Sequence, residues 1–243
     1  MENLDASDKR FSFGVKKGLT VNTRYFLNQR LAFLRQLHQA AIAQYVERKR
    51  LIDAEEEPFT PKYEDDSGEP SYLEEYLEAE ESIQVLGRAC ASMLAATLKV
   101  YLETWQKLVN APIDSEVDAM FKKNWLTGYQ AYFAKHAGVE FAKCPVNLQL
   151  LEELVLARNR VQHPNSLTTE SSRYSSSDLK KLPHPFFIDE SDRELFATAS
   201  EGKNEWLLAL AIDVTPEKFE ESVKTIEQFA EWLEAVESEG SAQ

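Results

Sequence analysis

The chain has 243 residues, 43% hydrophobic and 28% charged, with only 8 Gly and 9 Pro; a packed soluble core of long helices is expected, not a turn-rich β fold. The net charge of −14 argues against a nucleic-acid partner only until its distribution is considered. Residues 53–81 hold 13 Asp or Glu and one Lys, whereas residues 1–52 hold ten Lys or Arg against four acids.

No uninterrupted apolar run approaches the ~18 residues of a membrane span. The opening MENLDASDKRFSF has no apolar h-region, so no signal peptide is expected. Cys90 and Cys144 form neither a disulfide framework nor a zinc site and fit a reduced cytoplasmic protein. HExxH, CxxC, P-loop and GxSxG patterns are missing, and the acidic run lacks calcium-loop spacing, so no metal or cofactor is expected.

Residues 11–20 read as irregular. Asn22 or Thr23 caps a long helix to about Leu51, with Phe26, Leu31, Leu34, Ala41, Ile42 and Tyr45 on its apolar face. Arg24 and Arg35 lie on nearly the same side, and solvated helix arginines explain them best. Residues 53–70, with Pro58, Pro61, Gly68 and Pro70, form an acidic linker. Ser71 with Glu74 suggests a capping box for a second helix to about Val109, with a possible break near Gly87. Its Ala-rich apolar middle suits the centre of a bundle.

Asp114 or Ser115 opens a third helix that ends near Gly138, and a fourth runs from about Asn147 to Gln162. Residues 164–183 read as a polar Ser/Thr-rich loop. Within 185–214, LFATAS and EWLLALAIDV flank a turn and read as a β-hairpin insertion, with PFFID as a possible extra strand. Thr215-Pro216 then starts a last helix to about Glu237. The fold class is mainly α: one domain, 1–243, a bundle of about five helices with a small β-hairpin before the last.

The chemistry concentrates in LARNRVQHPN, residues 156–165. Arg158 continues the apolar stripe of Leu151, Leu154 and Val155, so its charge requires an anion, either a carboxylate of the fold or a phosphate. His163 lies about 140° away on an ideal helix, but Pro164 disfavours helix at the residue before it and frees His163 from that rule. No acid lies between Glu153 and Glu170. Histidine can move a proton to or from RNA oxygens near neutral pH, and arginine can stabilise the charge on a phosphorane-like transition state. One histidine does not easily serve both proton transfers, which favours a dimer.

Arg158-Asn159-Arg160-Val161-Gln162-His163 resembles the R-x4-6-H motif of HEPN domains, including the polar residue directly after the Arg. The resemblance implies an α-helical bundle and a metal-independent endoribonuclease that acts as a homodimer with the two motifs meeting at the interface. Arg158 and His163 would be catalytic and Asn159 would orient them; Arg160, Gln162 and Asn165 are candidate RNA contacts. Such proteins serve toxin–antitoxin, anti-phage and RNA-processing systems, so an antitoxin or regulatory protein is a further candidate partner. The alternative is a non-catalytic HEPN-like regulatory protein whose acidic segment engages a partner.

Overall fold

A computed structural model describes residues 22–61, 70–162, 172–182, 184–192, 194 and 210–241. It is mainly helical. In chain order come α1 (Thr23–Asp53), α2 (Leu73–Val109), α3 (Ser115–Lys123), α4 (Trp125–Ala137), α5 (Leu148–Gln162), α6 (Ser176–Lys181) and α7 (Pro216–Ser241). The segment expected as the first strand LFATAS, the turn and the first half of EWLLALAIDV, residues 195–209, lies outside the described residues.

α1 begins where Asn22 accepts the Tyr25 N–H at 2.8 Å, satisfying one of the donors every helix start leaves free. It runs antiparallel to both α2 and α7. Toward α7, Arg35 forks onto Glu220 and Glu227 at 2.7–3.0 Å, and Arg24 reaches Glu231 and Glu234. These arginines are therefore clamps between helices and not simply solvated. Toward α2, Arg48 pairs with Glu78 and Lys49 with Glu80, while Arg50 holds Glu47 and Glu56. Part of the basic first quarter is thus neutralised by the acids that follow it.

α2 is central and packs against α1, α4, α5 and α7. Its inner face, Leu94, Ala95, Leu98, Tyr101, Leu102 and Trp105, is buried. No break occurs at Gly87. The glycine is there because the Val214 carbonyl oxygen passes 2.3 Å from where a Cβ would stand. Tyr72 precedes the helix in a left-handed conformation without a side-chain cap, so the expected Ser71 capping box does not form. An 18-residue stretch of α2 is apolar enough to cross a membrane by length and composition, contrary to the sequence expectation; 56% of it is buried inside the bundle.

The expected third helix is two. Asn124 is extended and accepts the Leu126 N–H at 3.0 Å, so it ends α3 and caps α4. Phe121 then folds over Gly128, at whose Cβ position its ring would be only 2.2 Å away. Thr215 caps α7 through the Lys218 N–H at 3.3 Å, as its Thr-Pro start implies.

The region between α5 and α7 departs most from expectation. The stretch 164–183 is not all loop: Tyr174 and Leu182 are buried, and Ser175 with Asp178 forms a reciprocal capping box on α6. No strand is found among the described residues, so the β-hairpin insertion is not supported. Its described second half, Leu210–Val214, is extended, but it pairs with 172–174: Tyr174 N–H to Leu210 O at 3.0 Å and Ile212 N–H to Ser172 O at 2.8 Å. PFFID is bent, not a strand, because Phe186 and Phe187 give their N–H groups to the Glu153 carboxylate.

Candidate functional site

α5 presents two sides. Leu151, Leu154, Val155, Arg158 and Gln162 recur at helical spacing on the first, and Gln162 Nε2 donates to Ser92 Oγ of α2 at 3.2 Å. Glu153 and Arg160, seven apart, share the second and serve the 172–188 segment. Arg160 donates to Asp178 and to Ser175 Oγ. Burial pushes the Asp178 carboxyl up, but hydrogen bonds from Ser175 and the Arg160 charge outweigh it and hold its pKa below the ordinary value. Arg160, a candidate RNA contact by sequence, is thus committed to positioning α6.

Arg158 is different. Its side chain is half-buried, with Nε inaccessible and without a hydrogen-bond partner, and Nη1 donates to the Asn159 Oδ1 at 3.1 Å. Arg24, Arg35, Arg48, Arg50, Arg88 and Arg160 all reach carboxylates. Among the described residues, Arg158 reaches none. A guanidinium that is partly desolvated and unpaired favours an incoming anion. The neighbouring Asn159 is exposed and fixes one edge of the fork. Gln162 spends one N–H on Ser92 and keeps its carbonyl available. His163 and Asn165 lie outside the described residues.

Two of the other histidines, His38 and His136, are structural. His38 is 2% exposed, its ring 4.4 Å from that of Phe219, and burial lowers its pKa from 6.5 against the pull of Glu217. His136 packs against Tyr132. Cys90 and Cys144 are free, and burial raises both thiols. Trp125 and Trp232 pack against the core; Trp206 lies outside the described residues. No cluster of metal-ligating side chains occurs among the described residues.

Sequence reasoning passed over Glu153. It is 1% exposed and accepts from the Tyr174 hydroxyl and from the Phe186 and Phe187 N–H groups at 2.8 and 2.7 Å. An acid on the apolar run LQLLEELVLA was the available signal, since a buried carboxylate must be satisfied from elsewhere.

Comparison with protein-family models, with curated proteins and with solved structures finds no match.

Proposed function

We propose that the chain is a metal-independent endoribonuclease of the HEPN type that acts as a homodimer. The observation that carries this reading is Arg158, half-buried at the end of α5 with no carboxylate partner among the described residues, five positions before His163. The resemblance in residues 158–163 supplies the reaction class.

In the reaction, a ribose 2′-oxygen attacks the adjacent phosphorus and the bond to the 5′-oxygen breaks. The products are a 2′,3′-cyclic phosphate and a 5′-hydroxyl. His163 takes the 2′ proton, or supplies one to the leaving oxygen, and a second copy of the site supplies the other transfer. Arg158 binds the non-bridging oxygens as their charge grows. Asn159 orients Arg158. A cytoplasmic toxin–antitoxin or anti-phage role, with a regulatory partner, fits such an activity.

The non-catalytic alternative needs the acidic segment free for a partner. Three of its acids, Glu56, Glu78 and Glu80, are paired with Arg50, Arg48 and Lys49 of α1 and are not free for such a partner. The test is RNA cleavage by purified protein in EDTA, comparing wild type with His163→Ala. Loss of cleavage in the variant supports the proposal; equal cleavage, or dependence on added metal, overturns it.

A further inference from the structure

Most aromatic rings of this chain are buried or half-buried. Among the described residues the exposed ones fall together, within three turns of α1: Tyr25, Phe26 and Phe33 are 54%, 57% and 59% exposed. The apolar pattern of α1 assigns Phe26 to the core, yet Leu27, Leu31 and Leu34 fill that place and Phe26 faces outward. Phe26, Arg30 and Phe33 follow at intervals of four and three and share one stripe, with Arg30 about 6 Å and Phe33 about 10 Å along the axis from Phe26. Tyr25 stands edge-on to Phe26, ring centroids 5.4 Å apart, and fixes that ring's plane. Exposed Gln29 and Gln36 border the stripe.

Charge is distributed to match. From Lys9 to Val46 the sequence holds seven Lys or Arg and no Asp or Glu, in a chain with 41 acids. α1 carries six cations. Arg24, Arg35, Arg48, Lys49 and Arg50 reach carboxylates, whereas Arg30 is exposed and reaches none among the described residues. The α7 acids at this end of α1, Glu231 and Glu234, face Arg24, which lies about 180° around the helix from Phe33. Between α1 and α2, Phe26 and Arg30 line a depression of about 210 Å³ with Thr97, Val100 and Thr104. Thr97 and Thr104 donate their hydroxyl hydrogens to the Met93 and Val100 carbonyls, so their oxygens remain as acceptors.

Together these groups say what the face takes. A lipid or an apolar protein surface that covers both phenylalanines strips water from the guanidinium between them and offers it no anion. A single strand of nucleic acid alternates bases, which stack on aromatic rings, with phosphates, which Arg binds. Side-chain amides and threonine oxygens suit the edges of unpaired bases. A duplex keeps its bases in the stack and cannot use the rings.

We infer that the outward face of α1 is a binding platform for single-stranded RNA, with bases stacked on Phe26 and Phe33 and a phosphate on Arg30. The platform stands on the α1 side chains. The choice of RNA over a DNA strand, and its delivery to Arg158, rest on the ribonuclease reading.

Fluorescence anisotropy of a short labelled oligoadenylate RNA tests this in the full chain, in EDTA, on a His163→Ala background that keeps the probe whole. Affinity is expected to fall at least ~5-fold in Phe26→Ala or Phe33→Ala and to return in Phe26→Trp. Arg30→Gln weakens binding and lowers the slope of log affinity against log salt by about 0.7. All these positions face solvent, so denaturation midpoints stay near that of the parent. The same strand annealed to oligouridylate binds more weakly. No binding by the parent, or affinity unchanged in both alanine variants, overturns the platform. So does self-association that Phe26→Ala abolishes while RNA binding stays, because the face is then a protein interface. Tighter binding of oligodeoxyadenylate than of the RNA overturns the assignment to RNA. Cleavage by the chain with its native His163 separates the two readings. RNA that is bound through Phe26 and Phe33 but never cleaved upholds the platform and removes the ribonuclease reading. Cleavage whose KM is unmoved by Phe26→Ala and Phe33→Ala does the reverse.

Discussion

The carboxylate of Glu153 on α5 accepts the hydroxyl hydrogen of Tyr174, and the same carboxylate takes the backbone N–H groups of Phe186 and Phe187. One buried acid thus anchors both segments that cross the second side of α5. Burial and the Glu153 charge together raise the Tyr174 pKa, so the phenol stays a donor. Glu153→Gln puts an amide NH2 where a donor already points. With the group almost fully buried, the expected cost is about 2–3 kcal/mol. Chemical denaturation of the two proteins measures it; a loss below ~0.5 kcal/mol contradicts this role.

Gly87→Ala is expected to be more damaging than an alanine in a helix normally is. Glycine-to-alanine change usually favours a helix, yet here the new methyl meets the Val214 carbonyl oxygen at 2.3 Å. The middle of α2 and the 210–214 segment must separate, at a cost of about 1–3 kcal/mol. A rise in thermal midpoint in place of a fall shows that the close approach is not required.

Arg158 and Arg160 are expected to separate function from stability. Arg160→Ala removes the Asp178 partner and leaves a largely buried carboxylate with Ser175 alone, lowering stability by about 1–2 kcal/mol. Arg158→Ala removes no ion pair of the described fold and leaves the denaturation midpoint nearly unchanged. The opposite ranking in a denaturation series assigns Arg158 to the fold.

His38 gives the folded chain an acid-side weakness. Burial holds its folded pKa below the ordinary 6.5, with Glu217 opposing. Above about pH 6.5 the ring is neutral folded and unfolded, and stability is unaffected. As pH falls below that, the unfolded chain takes up a proton that the buried ring resists. Stability drops by up to about 1.4 kcal/mol per pH unit until the folded pKa is reached. His38→Leu removes this part of the slope. An unchanged slope of stability against pH between 6.5 and 5 assigns it to other groups.

The parts of the fold legible in the sequence were those written in local pattern. Asn22, Asp114 and Thr215 mark helix starts, and the Ala-rich stretch after Gly87 marks the central helix. The misread parts depend on distant partners. Tyr174 and Leu182 sit in a Ser-rich stretch whose core contacts come from α5 and from 210–214, and 210–214 alternates like a strand but pairs with 172–174. Asn124 is a helix former's neighbour by pattern and a cap by geometry. In the site, the place of Arg158 was legible from its stripe. The division of labour between Arg158 and Arg160 was not, because Asp178 is eighteen residues further along the chain.

Arg158 is proposed to stabilise the reacting phosphate in a metal-independent cleavage. The rate of cleavage of a single-stranded RNA in EDTA, for folded wild type and folded Arg158→Ala, tests it most directly. Wild type is expected to leave 2′,3′-cyclic phosphate ends, and the variant to cleave at a rate at least ~100-fold lower. Equal rates in the two proteins, or cleavage that appears only when a divalent metal is restored, would contradict it.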